Sequence, residues 1–435
     1  MWSAAVSWPL PEGAPGPWQD VLFRALLTVV VLSAAQEPLR GLGVGATWRP
    51  GTLGARVGDR LVGPAVRTVL AAVLVLAGCA FTAGLLPVAA TAAMAAVFVP
   101  VTTVHLSQEF AGYVTEDDDG TRHFKVHHHL HLTGMALLAM AGAGLAAAPG
   151  ADPHRVTASM AGGLWGAVAA HYFVSAVSKV RKRGLRWPDR RLFPFYLTLF
   201  DRFRTGDGER VRDAGPVRLL VRRPGAGVPL LWATLLLEAG TPLMLAGFWP
   251  RAAIGLGLVL FHLGSRWLLA VDFRENAMLA GLVALPLPAG AGPGLTPDWT
   301  GPVAFAVCAV LSFALDDRVY PFSNLPMFAD AYRPSPVVTL RCSNGADILP
   351  APATAGCSTA GLSREYAAAD GDPDAFCARV RERVAATGAV LPADTAVWVE
   401  TVDVTPGGTV AAALRRLRPL APVDEEREPS PGPGA

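Results

Sequence analysis

Charge is scarce in this chain. Asp, Glu, Lys and Arg make up 17% of its 435 residues, against about 25% in an ordinary soluble domain. That shortfall excludes a protein whose surface mostly meets water, and a mean hydropathy of +0.37 points to one that mostly meets lipid. Neither sign dominates: the formal net charge is +2, and the basic residues sit in loops beside apolar runs, so no nucleic-acid partner is indicated. Cysteine is sparse, and five are too few for a disulfide scaffold. Cys79 and Cys308 lie inside apolar runs and read as packed thiols, whereas Cys342, Cys357 and Cys377 show no C-x-x-C spacing and leave room for one disulfide or none. No basic segment precedes the first apolar run and no small-x-small site follows it, so it reads as a retained span rather than a signal peptide. No internal repeat is evident.

What the chain does have is long apolar runs. A spanning helix needs about 20 apolar residues, and the sequence predicts nine spans, at 19–36, 65–86, 88–106, 130–148, 158–179, 228–248, 251–271, 274–290 and 301–316. The run 65–106 is twice one membrane thickness, and Gly84 and Pro87 divide it into a hairpin of two helices. Asp272, Arg274 and Glu275 read as loop charges between two neighbouring spans. Arginines concentrate in the loops 37–64 and 180–226, which nine spans put on one side, cytoplasmic by the positive-inside rule. The N-terminus is then outside and the C-terminal domain inside. The segment 188–205, PDRRLFPFYLTLFDRFRT, mixes aromatics with arginines and reads as an interfacial amphipathic element that does not span.

From about residue 330 the composition changes. VVTLRC at 337–342 and AVWVETVDV at 396–404 alternate like strands, and 372–387 reads as an amphipathic helix behind an Asp cap. The expected fold is therefore mainly α: a polytopic transmembrane helix bundle with a small C-terminal α+β soluble domain. Its parts are an N-terminal segment 1–18, a transmembrane domain 19–328, a soluble domain 329–421 and a disordered tail 422–435, PVDEEREPSPGPGA.

Ionisable groups within or beside spans are expensive and call for a functional hypothesis. Lys179 ends the apolar stretch HYFVSAVSK. Either it snorkels, with its ammonium in water, or it is a desolvated amine able to act as a base; spacing does not separate the two. In HFKVHHHLH, His123, His127 and His131 recur at i, i+4 and would share one face of a helix. A di-iron site of H-x-x-x-H boxes needs more histidine than the nine present, and a lone Zn²⁺ or Cu²⁺ site is a weak alternative, so no metal is favoured. A polar helix entry and a single catalytic histidine are the other readings. Glu238 lies mid-run in LLWATLLLEAGTPLMLAGF and must be protonated, paired or facing a polar cavity, with Arg24 and His262 as plausible partners. His171 is a further isolated intramembrane histidine.

These same positions carry a family resemblance. VLFRALLTVVVLSAAQEPLRGL looks like the opening helix of the vitamin K-dependent γ-glutamyl carboxylase, with Phe23-Arg24 near its start and Gln36-Glu37 at its end. HHLHLTG resembles the family's N-H-x-Y-L-x-G and aligns His129 with its functional histidine. HYFVSAVSK is similar to Y-F-x-A-G-x-K-K and aligns Lys179 with the catalytic lysine, with Trp187 following at a family-like distance. Glu238 falls in an acidic position and His262 in a Phe-His pair, and YPFSNLPMF at 320–328 is similar to bacterial relatives carrying the horizontally transferred transmembrane domain. The resemblance spans about residues 19–328. Ser178, Ala176 and His128 depart from its motifs, and the family's large C-terminal region is replaced by a much smaller domain.

The resemblance implies a multi-pass cell-membrane enzyme using a reduced quinone (vitamin K or menaquinol) with O₂ and CO₂. Lys179 would deprotonate the quinol, with His129 orienting or polarising it. Epoxidation would generate a strongly basic alkoxide that removes a C–H proton from a peptide or protein substrate, and CO₂ would add to the carbanion. Arg24, Glu238, His262, His171 and Trp187 would shape the quinol pocket, which must be dry because water quenches so strong a base. Two rivals stand beside this reading: a membrane protein of peptide maturation or secretion without quinone chemistry, and a non-enzymatic anchor for the C-terminal domain.

Overall fold

The computed structural model describes residues 18–42, 48, 51–108, 113–116, 122–125, 128–147, 153–205, 215–269, 271–286, 299–315, 320–322, 335–341, 359–369, 372–386, 395–405 and 410–419. The tail 422–435 and the N-terminal segment up to residue 17 lie outside them. So do Cys342, Cys357 and His127.

The chain opens with helix α1 (Trp18–Gly41) and the short α2 (Leu53–Leu61), which the Thr52 hydroxyl caps. The double-length apolar run divides into α3 (Pro64–Thr82) and α4 (Pro87–Leu106). Each begins on a proline, which the first helical turn tolerates because its N–H would lack a partner there anyway. The turn between them holds Gly84 at φ +74°. Strands β1 (Tyr113–Glu116) and β2 (Arg122–Lys125) form an antiparallel hairpin, followed by α5 (His128–Ala147) and the 31-residue α6 (Pro153–Arg183). Gly184, left-handed at φ +62°, ends α6. Then come α7 (Leu192–Thr205), α8 (Gly215–Arg222), α9 (Val228–Ala239), α10 (Phe248–Leu269), the two-residue β3 (Val271–Asp272), α11 (Arg274–Ala284) and α12 (Thr300–Leu315).

Among the described residues six helices are long and apolar enough to cross a membrane: α1, α3, α4, α5, α6 and α10. The other three predicted spans differ from expectation. The run 228–248 is not one helix, because Gly240, Thr241 and Pro242 break it and Thr241–Ala246 continues as 3₁₀ turns. The runs 274–290 and 301–316 yield helices of only 11 and 16 residues.

Helix α6 is the axis of the bundle. Its Leu164, Val168 and Tyr172 are buried, and small residues let neighbours approach to backbone contact. A Cβ on Gly166 would lie 2.4 Å from the Gly301 carbonyl oxygen of α12, and one on Gly163 would lie 2.6 Å from that of Ala139 on α5. Side chains such as Val69, Leu76, Leu256 and Leu260 remain exposed and apolar, a surface compatible with lipid.

One end of the bundle gathers the polar connections. There Trp48 bridges Gln108, β3 pairs parallel with β2, and Asp272 is fully buried between Arg266 (3.0 Å) and Arg274 (2.9 Å). Glu275, also fully buried, accepts a 2.9 Å hydrogen bond from Ser33. Asp272 and Glu275 are thus interior anchors rather than loop charges. Of the two thiols in apolar runs, Cys308 is buried as expected but Cys79 is exposed on α3.

The C-terminal domain is an antiparallel sheet ordered β4 (Ser335–Arg341), β5 (Ala396–Val404), β6 (Val410–Pro419), with α13 (Thr359–Ala368) and α14 (Pro373–Ala386). Val338, Leu340 and Val397 pack on Phe376 and Val380 of α14. Strand alternation turns Val337 to the opposite face, where Val337 and Val402 bury Phe195 and Leu199 of α7. Phe200 of α7 packs in turn on Val271 and Phe273. The aromatic segment read as interfacial is therefore sandwiched between bundle and sheet instead of lying against bare lipid.

Candidate functional site

Helix periodicity places Tyr172, Ser175 and Lys179 at i, i+3 and i+7, on one face of α6. The break after α9 keeps Glu238 at the level of Lys179. The Thr241 hydroxyl, 2.8 Å from the Ala169 carbonyl oxygen and 2.9 Å from that of Glu238, ties the broken end to α6.

Lys179 does not snorkel. Its side chain is 2% exposed and Glu238's 4%. The ammonium has three donors and three acceptors: Ser175 Oγ at 3.0 Å, Glu238 Oε1 at 2.6 Å, and Glu238 Oε2. The ring of Trp187, itself buried, lies 5.1 Å from Nζ. Trp187 is brought there by a tight turn in which Asp189 accepts from the Arg191 backbone N–H (2.8 Å) and guanidinium (2.7 Å from Nη2). Burial alone would raise the Asp189 carboxyl. The hydrogen bonds and charge of Arg191, with the charge of Arg183, outweigh it and hold the group below the usual carboxylate range.

A second set of buried polar groups adjoins this pair. The Tyr172 hydroxyl is hydrogen-bonded to His262 Nε2 and also engages Asn276, within the field of Glu238. His262 packs against Phe261 and Phe273, and its Nδ1 is enclosed without a hydrogen-bond partner, as is His171 Nδ1. His171 lies within the electrostatic reach of His131, His262 and Lys179. Breaking such a buried network leaves uncompensated polar groups, each costing about 1–3 kcal/mol.

Lys179 and Trp187 form the inner end of a cavity of about 370 Å³ between α6, α7, α9 and α10. Among the described residues Lys179 is its one charged lining residue. The walls are otherwise dominated by aliphatic and aromatic side chains, among them Tyr196, Leu231 and Phe261. Leu230 and Leu260, which line it, are 46% and 60% exposed on the outer faces of α9 and α10. The cavity thus opens sideways, on the face apolar enough to meet lipid.

Lys179, Glu238 and Trp187 meet, and His262 and His171 join them through the buried polar groups. Arg24 does not. It lies beside Thr157 (3.5 Å) at the far end of α6, and 22 residues at 1.5 Å each place that end ~33 Å from Lys179. His129 falls in the first turn of α5, and its side chain is outside the described residues. The proposed histidine face is not one helix, because His123 lies in β2 and His131 in α5. His131 Nδ1 donates a 3.1 Å hydrogen bond to the Pro321 carbonyl and its ring lies tilted 5.0 Å from that of Tyr320, tying 320–322 to α5. Among the described residues no group of three metal-ligating side chains occurs. Tyr172, Ser175 and Asn276 were not anticipated. The first two were accessible from their spacing relative to Lys179, while Asn276 carried no signal. Comparison of the chain with protein-family models, with curated proteins and with solved structures returns no match.

Proposed function

We propose that this chain is a multi-pass membrane enzyme of the carboxylase-like, quinol-dependent oxygenase kind, with Lys179 as its base. One observation carries the reading: a buried lysine amine, held by a carboxylate and a hydroxyl, is, among the described residues, the single charged group on an apolar cavity that opens between exposed apolar side chains. The cavity suits a quinone ring in size and polarity. Pockets of about 300–1,000 Å³ take small ligands, and Trp187, Tyr196 and Phe261 offer aromatic walls.

A bound reduced quinone and O₂ would supply the oxidation: one oxygen atom would enter the ring as an epoxide, and the other, as a strongly basic oxyanion, would leave as water on taking a C–H proton, ahead of CO₂ addition. The chain's own residues do the rest. In the neutral form of the Lys179–Glu238 pair the shared proton rests on Glu238 and Nζ carries a lone pair, able to take a phenolic proton. Ser175 fixes the amine's direction, and Trp187 closes the site against water. Tyr172, hydrogen-bonded to His262, lies within the field of Glu238 and keeps this side of the pair polar.

The same reading places nine crossings in the membrane, six by the long helices and three by α9 with its 3₁₀ extension, α11 and α12. The arginine-rich connections and the C-terminal domain are then cytoplasmic. An Arg155→Cys variant labelled from outside and an Arg222→Cys variant labelled from inside support this topology; labelling of both from one side rejects it.

The deciding experiment incubates purified protein in nanodiscs with reduced menaquinone, O₂ and labelled bicarbonate, and assays epoxide and fixed carbon separately. Epoxide that disappears in Lys179→Ala supports the oxygenase. Epoxide without fixed carbon retains the oxygenase and rejects the carboxylase. No turnover in either protein refutes the proposal.

A further inference from the structure

At the opposite end of the bundle a second cation is buried, and the chemistry above does not use it. Arg251, in the first turn of α10, is 5% exposed. Its guanidinium carbon lies 3.7 Å from the centroid of the Trp165 ring of α6 and 5.6 Å from that of Phe248. The Trp165 ring covers the guanidinium carbon, and no hydrogen bond among the described residues engages its N–H donors. Arg251 Nε is enclosed without an acceptor, and so is the indole Nε1 of Trp165 beneath it. Among the described residues no carboxylate pairs with Arg251. Arginine keeps its proton, so a permanent charge is held in an apolar setting beside an unmet donor of the ring it stacks on.

Both orphaned groups donate only, so what satisfies them must be an acceptor, and the fixed positive charge asks for an anion. The surroundings narrow the class. Trp249 and Trp299, 55% and 69% exposed, flank the starts of α10 and α12, the placement of aromatic residues at a membrane interface. Beyond Arg251, Leu256, Leu260 and Leu263 of α10 are exposed and apolar, a surface for acyl chains. Trp165 and Lys179 are 14 residues apart on α6, ~21 Å along its axis, so this position is separate from the lysine cavity.

We propose that Arg251 and Trp165 form a phosphate-binding site for the headgroup of a membrane phospholipid, in the leaflet opposite the C-terminal domain. The proposal stands whether or not Lys179 is a catalytic base.

The test uses full-length protein, wild type against Arg251→Gln, Arg251→Lys and Trp165→Phe. Each is reconstituted in phosphatidylglycerol/phosphatidylcholine nanodiscs, extracted into detergent, delipidated stepwise and weighed by native mass spectrometry. Wild type is expected to retain about one phospholipid more per chain than Arg251→Gln, as a headgroup held by a buried cation requires. Arg251→Lys should retain it partly, and Trp165→Phe, which keeps the ring stack, should release it sooner. A parallel arm titrates inorganic phosphate against thermal unfolding in detergent. Stabilisation of wild type but not of Arg251→Gln, with no lipid difference, overturns the lipid assignment in favour of free phosphate. Equal lipid retention by wild type and a folded Arg251→Gln, with no phosphate effect, overturns the site altogether. Should Arg251→Gln fail to fold, Trp165→Phe and Arg251→Lys decide: retention equal to wild type in both refutes the proposal.

Discussion

Lys179 on α6 and Glu238 on α9, 59 residues apart in sequence, meet inside the bundle with Nζ 2.6 Å from Oε1. Pairs of this kind stabilise little relative to an apolar replacement, yet breaking one leaves a bare charge in low dielectric at a cost of about 3–5 kcal/mol. Lys179→Met is therefore expected to lower stability by that order, and Lys179→Met/Glu238→Leu to recover most of it. Reversible unfolding in bicelles reads the difference. Both variants should lack quinol turnover, which separates the energetic role from the chemical one. Equal stability of single and double variants would refute the desolvated pair.

Gly264 lines the cavity from α10, and a Cβ there meets nothing within 4 Å. Gly264→Leu should fill the space without a clash and leave stability unchanged or raised, since a helical glycine costs about 0.8–1 kcal/mol. Labelling by a photoreactive quinone should fall at least roughly tenfold, the equivalent of about 1.4 kcal/mol. Undiminished labelling of a folded variant would place the ligand elsewhere.

The glycines of α5 and α6 make a contrasting pair of predictions. At Gly166 an added methyl would strike the Gly301 carbonyl oxygen at 2.4 Å, whereas at Gly142 it meets open space. Gly166→Ala should destabilise by about 1–3 kcal/mol, the usual cost of overpacking, while Gly142→Ala should not destabilise. Melting temperatures that move together would contradict the close approach of α6 and α12.

For Asp189 the sign of the pH dependence is fixed by its environment. Its carboxyl is held below the ordinary carboxylate range, so its ion pair contributes stability in full above the unfolded value of about 3.9. That contribution is lost as pH falls through the lower folded value. The gap in melting temperature between wild type and Asp189→Asn should be present at neutral pH and close below about pH 4. A gap that widens on acidification would refute the assignment.

Lys179 and Glu238 could each be singled out in the sequence, because ionisable residues at the ends or centres of apolar runs are conspicuous, whereas Trp187 stood out only through the resemblance. Their meeting could not, because it depends on where α9 breaks. Pro242 hinted at that break, but hydropathy averaged over a window passes straight through it. Arg24 failed as a partner for a geometric reason: a helix entering from one side of the bundle puts its first turn far from a residue near the opposite end of α6. The strands at 337–342 and 396–404 announced themselves by alternation, while β6 carries Arg415 and Arg416 side by side, both exposed, and lacks that signature.

Helix α7 gives Tyr196 to the cavity wall while Phe195 and Leu199, its immediate neighbours in the helix, are clasped by Val337 and Val402. The two assignments cannot be changed independently, since a rigid rod turns as a whole. Whatever tilts or withdraws the sheet, including a partner seated on it or a protease cutting behind it, would turn an aromatic ring in the cavity wall. The sheet is thus a handle on the cavity, and removing it would alter the grip as well as the length of the chain.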